Sequence, residues 1–128
     1  MNWLDSVSGN LLTKDLDGLW VRQKAISDNL ANVNTPGYKS KSVSFEDQLQ
    51  AKLSENYGNK NETIEALQGT QPVTAESNQG SLRLDGNNVD VEQQNVELAR
   101  TQLNYLFSLR ELSDSFSRLS YAITDGKS

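Results

Sequence analysis

The stretch best suited to chemistry is an acidic, amide-rich run at residues 85–90, which reads Asp-Gly-Asn-Asn-Val-Asp. An EF-hand calcium loop needs oxygen ligands at loop positions 1, 3 and 5, glycine at position 6 and glutamate at position 12. When Asp85 takes position 1, Val89, Asp90 and Val96 fall at positions 5, 6 and 12. These positions do not fit calcium, so the run predicts a turn rather than a metal site.

The composition removes most other catalytic and metal chemistry. The 128 residues include no cysteine and no histidine, which excludes thiolate nucleophiles, disulfides and the usual zinc ligands. The acidic residues are scattered over predicted helix faces, and no phosphate-binding glycine loop or nucleophile elbow is present. The net charge of −5 includes no strongly basic segment, which argues against nucleic acid as a partner. We therefore expect neither an enzyme nor a cofactor.

The N-terminus gives no sign of targeting to a membrane. Residues 1–6 contain neither a basic run nor an apolar run, so we expect no cleaved signal peptide. No stretch of the sequence approaches the ~20 apolar residues that a membrane-spanning helix requires. We therefore predict no direct membrane span, and any export would use another route.

Hydrophobic spacing predicts a helix near the N-terminus, over roughly residues 10–33. Its apolar positions alternate in steps of four and three, which is typical of a heptad seam that packs on another helix. The helix should end before Pro36, because the residue before a proline disfavours the α conformation. The seam comprises Leu12, Leu16, Leu19, Gln23, Ile26, Leu30 and Val33.

A longer helix is predicted over roughly residues 90–124, with Asp90 as its N-cap and Gln93 at the capping-box position. Its seam comprises Leu98, Gln102, Tyr105, Leu109, Leu112, Phe116, Leu119 and Ile123. A second apolar row comprises Val96, Ala99, Leu103 and Leu106, with Phe107 beside it. One partner helix cannot cover both rows, so we expect the second row to contact another chain.

The segment between the helices is polar. In residues 54–80, only six of 27 residues are hydrophobic, too few to offset the entropy of ordering. We therefore expect a flexible polar insertion with a short helical turn at Thr63–Leu67. Residues 35–53 predict a turn, then a brief strand at Val43–Phe45 and a return to helical spacing.

These elements predict a mainly α fold. Two long terminal helices would pack antiparallel as a coiled-coil-like hairpin, because a short chain must fold back to bury both seams. A single structural domain would then comprise segments 1–34, 35–53, 54–80 and 81–128. Antiparallel packing would also bring the turn at Thr35–Tyr38 next to the turn at Asp85–Asn88, and we name these two turns the turn pair.

Two segments resemble signatures of the flagellar basal-body rod and hook protein family. Residues 26–39 are similar to its N-terminal signature, and residues 84–92 are similar to the C-terminal form of proximal-rod members. The resemblance implies an assembly motif formed by Ala31, Asn32, Asn34, Thr35, Pro36, Gly37, Tyr38, Lys39, Leu84, Asp85, Gly86, Asn87, Asn88, Val89 and Asp90.

The resemblance implies a structural subunit of the proximal rod, which crosses the periplasmic space and serves as the axial drive shaft. Such a subunit is exported by the flagellar type III apparatus without signal cleavage. Its terminal helices assemble helically with other copies, with neighbouring rod proteins and with basal adaptor and export-gate proteins. Two alternatives stay open: another rod subunit of the same family, or a small helical adaptor or export chaperone, which would not need the Thr35–Tyr38 turn.

Overall fold

The computed structural model describes residues 6–81 and 83–125. Within these ranges the chain is mainly helical, with a small antiparallel sheet. The elements in chain order are helix α1 (Val7–Ala31), strand β1 (Lys41–Ser44), helix α2 (Glu46–Glu55), helix α3 (Lys60–Gln68), strand β2 (Val73–Glu76) and helix α4 (Val91–Asp125).

Helix α1 begins three residues before its predicted start, because Ser6 caps it. The Ser6 Oγ accepts a hydrogen bond from the Gly9 N–H at 2.9 Å, which satisfies one of the unpaired donors of the first turn. The helix ends at Ala31, two residues before its predicted end at 33 and ahead of Pro36. The following Asn32 N–H bonds back to the Asp28 carbonyl at 3.1 Å.

Helix α4 confirms the long C-terminal helix. It begins at Val91, and the Asp90 Oδ1 accepts a hydrogen bond from the Gln93 N–H at 3.2 Å. This is the predicted N-cap contact. With 35 residues, α4 is about 50 Å long at 1.5 Å per residue.

The two long helices pack against each other. The Asn29 Nδ2 donates to the Gln94 Oε1 at 2.9 Å, and the Ser108 Oγ donates to the Asp15 carboxylate. The two contacts are two heptads apart on each helix. From the first contact to the second, the residue number falls from 29 to 15 on α1 and rises from 94 to 108 on α4, so the two helices run in opposite directions.

The line along which α4 meets the rest of the chain differs from the predicted seam. Its buried and half-buried positions with heptad spacing are Gln94, Leu98, Thr101, Tyr105, Ser108, Leu112, Ser115 and Leu119. Four predicted positions belong to this line, but Leu109, Phe116 and Ile123 are 44%, 55% and 50% exposed. The apolar stripe of α4 is wider than the face that one neighbouring helix can cover. These three apolar residues lie on an exposed edge of the stripe, and the prediction wrongly placed them on the contact line.

The predicted seam of α1 is buried or half-buried at every position, and its last member, Val33, lies beyond the end of the helix at Ala31. Leu19 and Ile26 are buried, whereas the remaining members are half-buried. The latter are Leu12, Leu16, Gln23, Leu30 and Val33.

The core lies where the segment after α1 folds back onto it. Phe45 is buried with Leu19, Ala25, Val43, Leu49 and Leu67. Strands β1 and β2 pair antiparallel, with Lys41 opposite Glu76 and Ser44 opposite Val73. The predicted brief strand thus ends at Ser44, and the side chain of Phe45 fills the core instead.

The polar segment 54–80 contains α3 and β2. The predicted helical turn at Thr63–Leu67 lies within α3, where both of those end residues are buried. The Asn59 Oδ1 accepts a hydrogen bond from the Glu62 N–H at 3.2 Å and caps this helix. The low hydrophobic content of segment 54–80 as a whole did not indicate this helix, because two buried positions one turn apart are enough to anchor it on the core.

Candidate assembly surface

The turn pair forms as predicted at the end of α1. The Gly37 N–H donates to the Asp85 carbonyl at 2.7 Å, and the Asn88 N–H donates to the Tyr38 carbonyl at 3.3 Å. Gly37 and Gly86 have φ angles of +74° and +80°, a region that glycine enters without steric cost. The two turns therefore lie side by side, joined by main-chain hydrogen bonds.

Asn87 ties the second turn to the end of α1. Its side chain is fully buried, and its Nδ2 donates to the Asn32 and Thr35 carbonyls, both at 2.9 Å. Its Oδ1 accepts from the Val89 N–H at 2.9 Å. Asn32 caps the C-terminus of α1, and its carbonyl also accepts from the Thr35 N–H at 3.0 Å, so the amide of a distant turn adds a second donor there.

Further contacts hold the rest of the turn pair. The Lys39 Nζ donates to the Gly86 carbonyl at 2.5 Å, and the Ser40 N–H donates to the Asn88 Oδ1 at 2.7 Å. The Arg83 guanidinium donates to the Val33 carbonyl. The turn pair is thus built by main-chain and side-chain bonds from both segments.

The structure gathers the predicted assembly motif in this region but exposes only part of it. Asn87 and Val89 are buried, and Asn32, Tyr38, Lys39, Gly86 and Asn88 are half-buried. The exposed members are Ala31, Asn34, Thr35, Pro36, Gly37, Leu84, Asp85 and Asp90.

Asn29 joins the turn pair to the helices, a role that the sequence did not reveal. Its buried Oδ1 accepts from the Tyr38 hydroxyl at 3.1 Å and from the Lys41 N–H at 2.8 Å. Its Nδ2 donates to the Lys41 carbonyl at 2.8 Å and to Gln94. An amide side chain offers two donors and two acceptor sites, and all are used. Asn29 was not a member of the predicted seam, and the available signal was its spacing of three residues from the seam residue Ile26, which places both on one side of a helix.

The Tyr38 hydroxyl is suited to its donor role. Burial, with smaller contributions from the nearby charges of Asp28 and Glu76, raises the pKa of the Tyr38 phenol above its ordinary value. A tyrosine phenol is protonated at neutral pH even without this shift, so the hydroxyl can donate to Asn29.

Arg22 fastens the start of α2 to α1. Its guanidinium donates to the Glu46 carboxylate through both terminal nitrogens and to the Val43 carbonyl at 2.7 Å. It also lies 4.8 Å from the centre of the Phe45 ring, within reach of a cation–π interaction. The hydrogen bond from Arg22 is the main cause that lowers the pKa of Glu46.

A broad face of α4 is apolar and open to solvent. Val96, Leu103, Leu106 and Phe107 are each more than half exposed, and Ala99 is also exposed. Together with Leu109, Phe116, Tyr121 and Ile123, these residues form what we name the open face of α4.

Side-chain clusters that could bind a metal ion and helices that could span a membrane are both absent from the described part of the chain. Within residues 6–81 and 83–125, no three acidic side chains converge closely enough to hold a metal ion. None of the helices in those ranges combines the length and apolar character needed to cross a membrane.

Comparison with known proteins identifies the family. A family model described as flagella basal body rod protein matches residues 20–39, which include the second half of α1 and the first turn of the turn pair. The chain is 33% identical over 111 residues to the flagellar basal body rod protein FlgB of Bacillus subtilis (strain 168), across 84% of this chain and 85% of that protein.

Two further relatives have the same name. The FlgB of Aeromonas hydrophila is 34% identical over 108 residues, across 80% of this chain and 81% of that protein. The FlgB of Borreliella burgdorferi is 32% identical over 102 residues, across 70% of this chain and 76% of its own length. Identity of this order over most of both chains means that the protein is a structural component of the flagellar basal body and not an enzyme. The chain belongs to the FlgB family of flagellar basal-body rod proteins.

Proposed function

We propose that the chain is a subunit of the proximal rod, exported by the flagellar type III apparatus without signal cleavage and assembled helically through α1 and α4. In this proposal the rod crosses the periplasmic space and transmits torque as the axial drive shaft. The neighbours of the chain are other copies of itself, adjoining rod proteins, and basal adaptor and export-gate proteins. The names of its relatives support the assignment to the rod, and the exposed apolar surface of α4 supports assembly with other subunits.

The open face of α4 is the observation that carries the proposal. Contiguous exposed apolar surface of this kind marks a site that contacts another molecule. Helix α1 occupies one line along α4, whereas Leu103, Phe107 and their neighbours lie outside that line. In a helical assembly, α4 would be surrounded by helices of neighbouring subunits, which would cover this surface.

The hairpin supports the same arrangement. We propose that α1 and α4 form a coiled-coil-like antiparallel pair, since their two cross-contacts, Asn29 with Gln94 and Asp15 with Ser108, keep heptad register. Such a pair is a rigid rod-shaped unit suited to stacking.

The assembly motif would then orient the pair rather than bind a ligand. The turn pair fastens the end of α1 to the start of α4 through Gly37, Asn87 and their partners. We propose that this fixes the angle at which the helices diverge and, with it, the surface presented to the next subunit.

The proposal is tested by placing a charge on the open face. Leu103→Arg changes an exposed side chain, so folding should be preserved, but the charge would be desolvated in an assembly. We expect cells that carry only this variant to export it, to lack it in purified basal bodies and to lose swimming.

The matched control is Gln50→Arg, which adds the same charge at an exposed position of α2. We expect this variant to enter basal bodies normally. Normal swimming and normal incorporation of Leu103→Arg would contradict assembly through the open face.

A further inference from the structure

An apolar groove lies at the start of α1, beside the turn that joins α2 to α3. Its volume is about 550 Å³, and the apolar side chains in its lining are Val7, Leu53 and Tyr57. A volume of this order can hold a large side chain, since sites for small molecules span about 300–1,000 Å³. Tyr57 is 93% exposed, so this wall of the groove faces solvent over most of its surface.

The groove is continuous with the hydrophobic core. Val7 and Leu53 are half-buried and pack against the buried cluster that contains Phe45 and Leu49. A further apolar side chain placed in the groove would therefore extend the core outward and cover Tyr57. Burial of apolar surface stabilises a fold roughly in proportion to the area removed from water, so the groove favours an occupant with a large apolar side chain.

Such a side chain lies directly ahead of α1 in the sequence. Residues 1–5 read Met-Asn-Trp-Leu-Asp and lie outside the described residues, which start at Ser6. Trp3 precedes Val7 by four residues, so their Cα atoms are at most about 14 Å apart. A tryptophan side chain can bury about 150–250 Å², and its only polar group is one N–H donor.

Covalent linkage favours this segment over every separate molecule. A short link gives a neighbouring segment an effective concentration in roughly the millimolar range. It also spares the loss of translational and rotational freedom that a separate chain must offset when it binds. A second copy would have to overcome that cost with the same three apolar side chains of the groove.

We propose that Trp3 occupies the groove of its own chain and packs on Val7, Leu53 and Tyr57. Residues 1–5 would then fasten the start of α1 to the turn between α2 and α3. The contact lies within one subunit, so it does not depend on the proposed assembly of the rod. It withdraws the groove from the surface that is available to neighbouring subunits.

Fluorescence of a single tryptophan tests the contact with all four side chains in place. The chain has two tryptophans, and Trp20→Phe, a change at an exposed position of α1, leaves Trp3 alone. We expect Trp3 to emit at a shorter wavelength in the folded full-length chain than in concentrated urea, and acrylamide to quench it less. Emission and quenching equal to those of the unfolded chain would overturn the proposal.

Removal of one wall of the groove locates the ring. In the Trp20→Phe chain, Tyr57→Ala should shift the Trp3 emission to longer wavelength and increase its quenching. Because Tyr57 is exposed, the helix content measured by circular dichroism should be unchanged. Tyr121→Ala is the matched control, since it makes the same change at a tyrosine that is 72% exposed on α4. An emission shift with Tyr121→Ala alone would place the ring on α4 and overturn the proposal.

A double-mutant cycle gives a second measurement, on the chain with Trp20 intact. Trp3→Ala should lower the urea concentration at the midpoint of unfolding. The fall should be smaller in the Tyr57→Ala chain, because residues in contact have non-additive effects, and it should be undiminished in the Tyr121→Ala chain. Additive effects of Trp3→Ala and Tyr57→Ala would contradict the contact.

Dilution distinguishes the chain's own segment from that of a second copy. Docking within one chain is independent of concentration, so the emission of Trp3 should stay constant as the purified chain is diluted. A shift to longer wavelength on dilution would assign the groove to Trp3 of a second copy and overturn the proposal.

Discussion

The ring of Phe45 lies against the backbone of Gly18, so closely that a Cβ added at Gly18 would lie 2.5 Å from the ring carbons. Both residues are buried. This contact lets the segment after β1 approach α1 and places Phe45 beneath the guanidinium of Arg22. A glycine within a helix costs about 0.5–1 kcal/mol relative to alanine, and the close approach of the ring explains its presence.

Gly18→Ala should therefore destabilise the chain despite its better helix propensity. Overpacking of a core costs about 1–3 kcal/mol, and a stiff ring cannot move aside cheaply. The free energy of unfolding, measured in urea on the purified chain, should fall. Gly69→Ala is the control, because its added Cβ would meet only carbonyl oxygens at 3.6 Å. A Gly18→Ala chain as stable as the wild type would contradict the contact.

Asn29→Asp should destabilise the chain at neutral pH. A carboxylate cannot donate, so the Lys41 carbonyl and the Gln94 Oε1 would lose their donor and face a buried negative charge. We expect a loss of at least about 2 kcal/mol in the free energy of unfolding. Asn34→Asp makes the same change at an exposed position of the same segment, residues 26–39, and should alter stability by less than about 0.5 kcal/mol. Equal effects of the two variants would show that the Asn29 network is unimportant for stability.

Gly37→Val and Gly86→Val should leave export intact but block rod growth. Both glycines have positive φ, and a β-branched residue there adds at least about 1–2 kcal/mol of strain. We expect the exported variants to be absent from purified basal bodies, and the cells not to swim.

Gly37→Asn is the matched control for this strain. Asparagine tolerates the left-handed conformation, and a Cβ at Gly37 would meet nothing within 4 Å. Cells carrying it should swim. Normal swimming of both valine variants would show that the turn pair only connects the helices.

The sequence predicted the parts of this molecule that repeat along the chain, and through their antiparallel packing it also predicted where the two turns that flank them would meet. Heptad spacing predicted α1 and α4, and the antiparallel argument predicted the adjacency of Gly37 and Asp85. The sequence could not predict the contact of Gly18 with Phe45 or the hydrogen bond of Asn29 with Gln94. Each of those contacts joins one residue to another distant in sequence, and a single such contact leaves no periodic pattern.

Acid should weaken the attachment of α2 to α1. The hydrogen bond from Arg22 lowers the pKa of Glu46 below its ordinary value of 4.5. Because the pKa is lower in the folded chain, the stabilisation is fully present above about pH 4.5 and is lost as the pH falls through the folded value. The advantage of the wild type over Glu46→Gln in free energy of unfolding should therefore shrink on acidification. A constant difference from neutral pH to about pH 3 would contradict this linkage.

The C-terminal turns of α4 should be the least protected part of that helix in the isolated chain. The pairing of Asn29 with Gln94 and of Asp15 with Ser108 places Val7, the first residue of α1, opposite residue 116. Residues 117–125 therefore extend past the start of α1, and a helix without a tertiary partner is marginal in water. We expect fast amide exchange there and slow exchange over Leu19–Asn29, measured by mass spectrometry. In purified basal bodies, where neighbouring subunits would cover α4, residues 117–125 should become protected. Equal protection of both segments in the isolated chain, or no gain on assembly, would contradict the proposal that neighbouring subunits complete the packing of this helix.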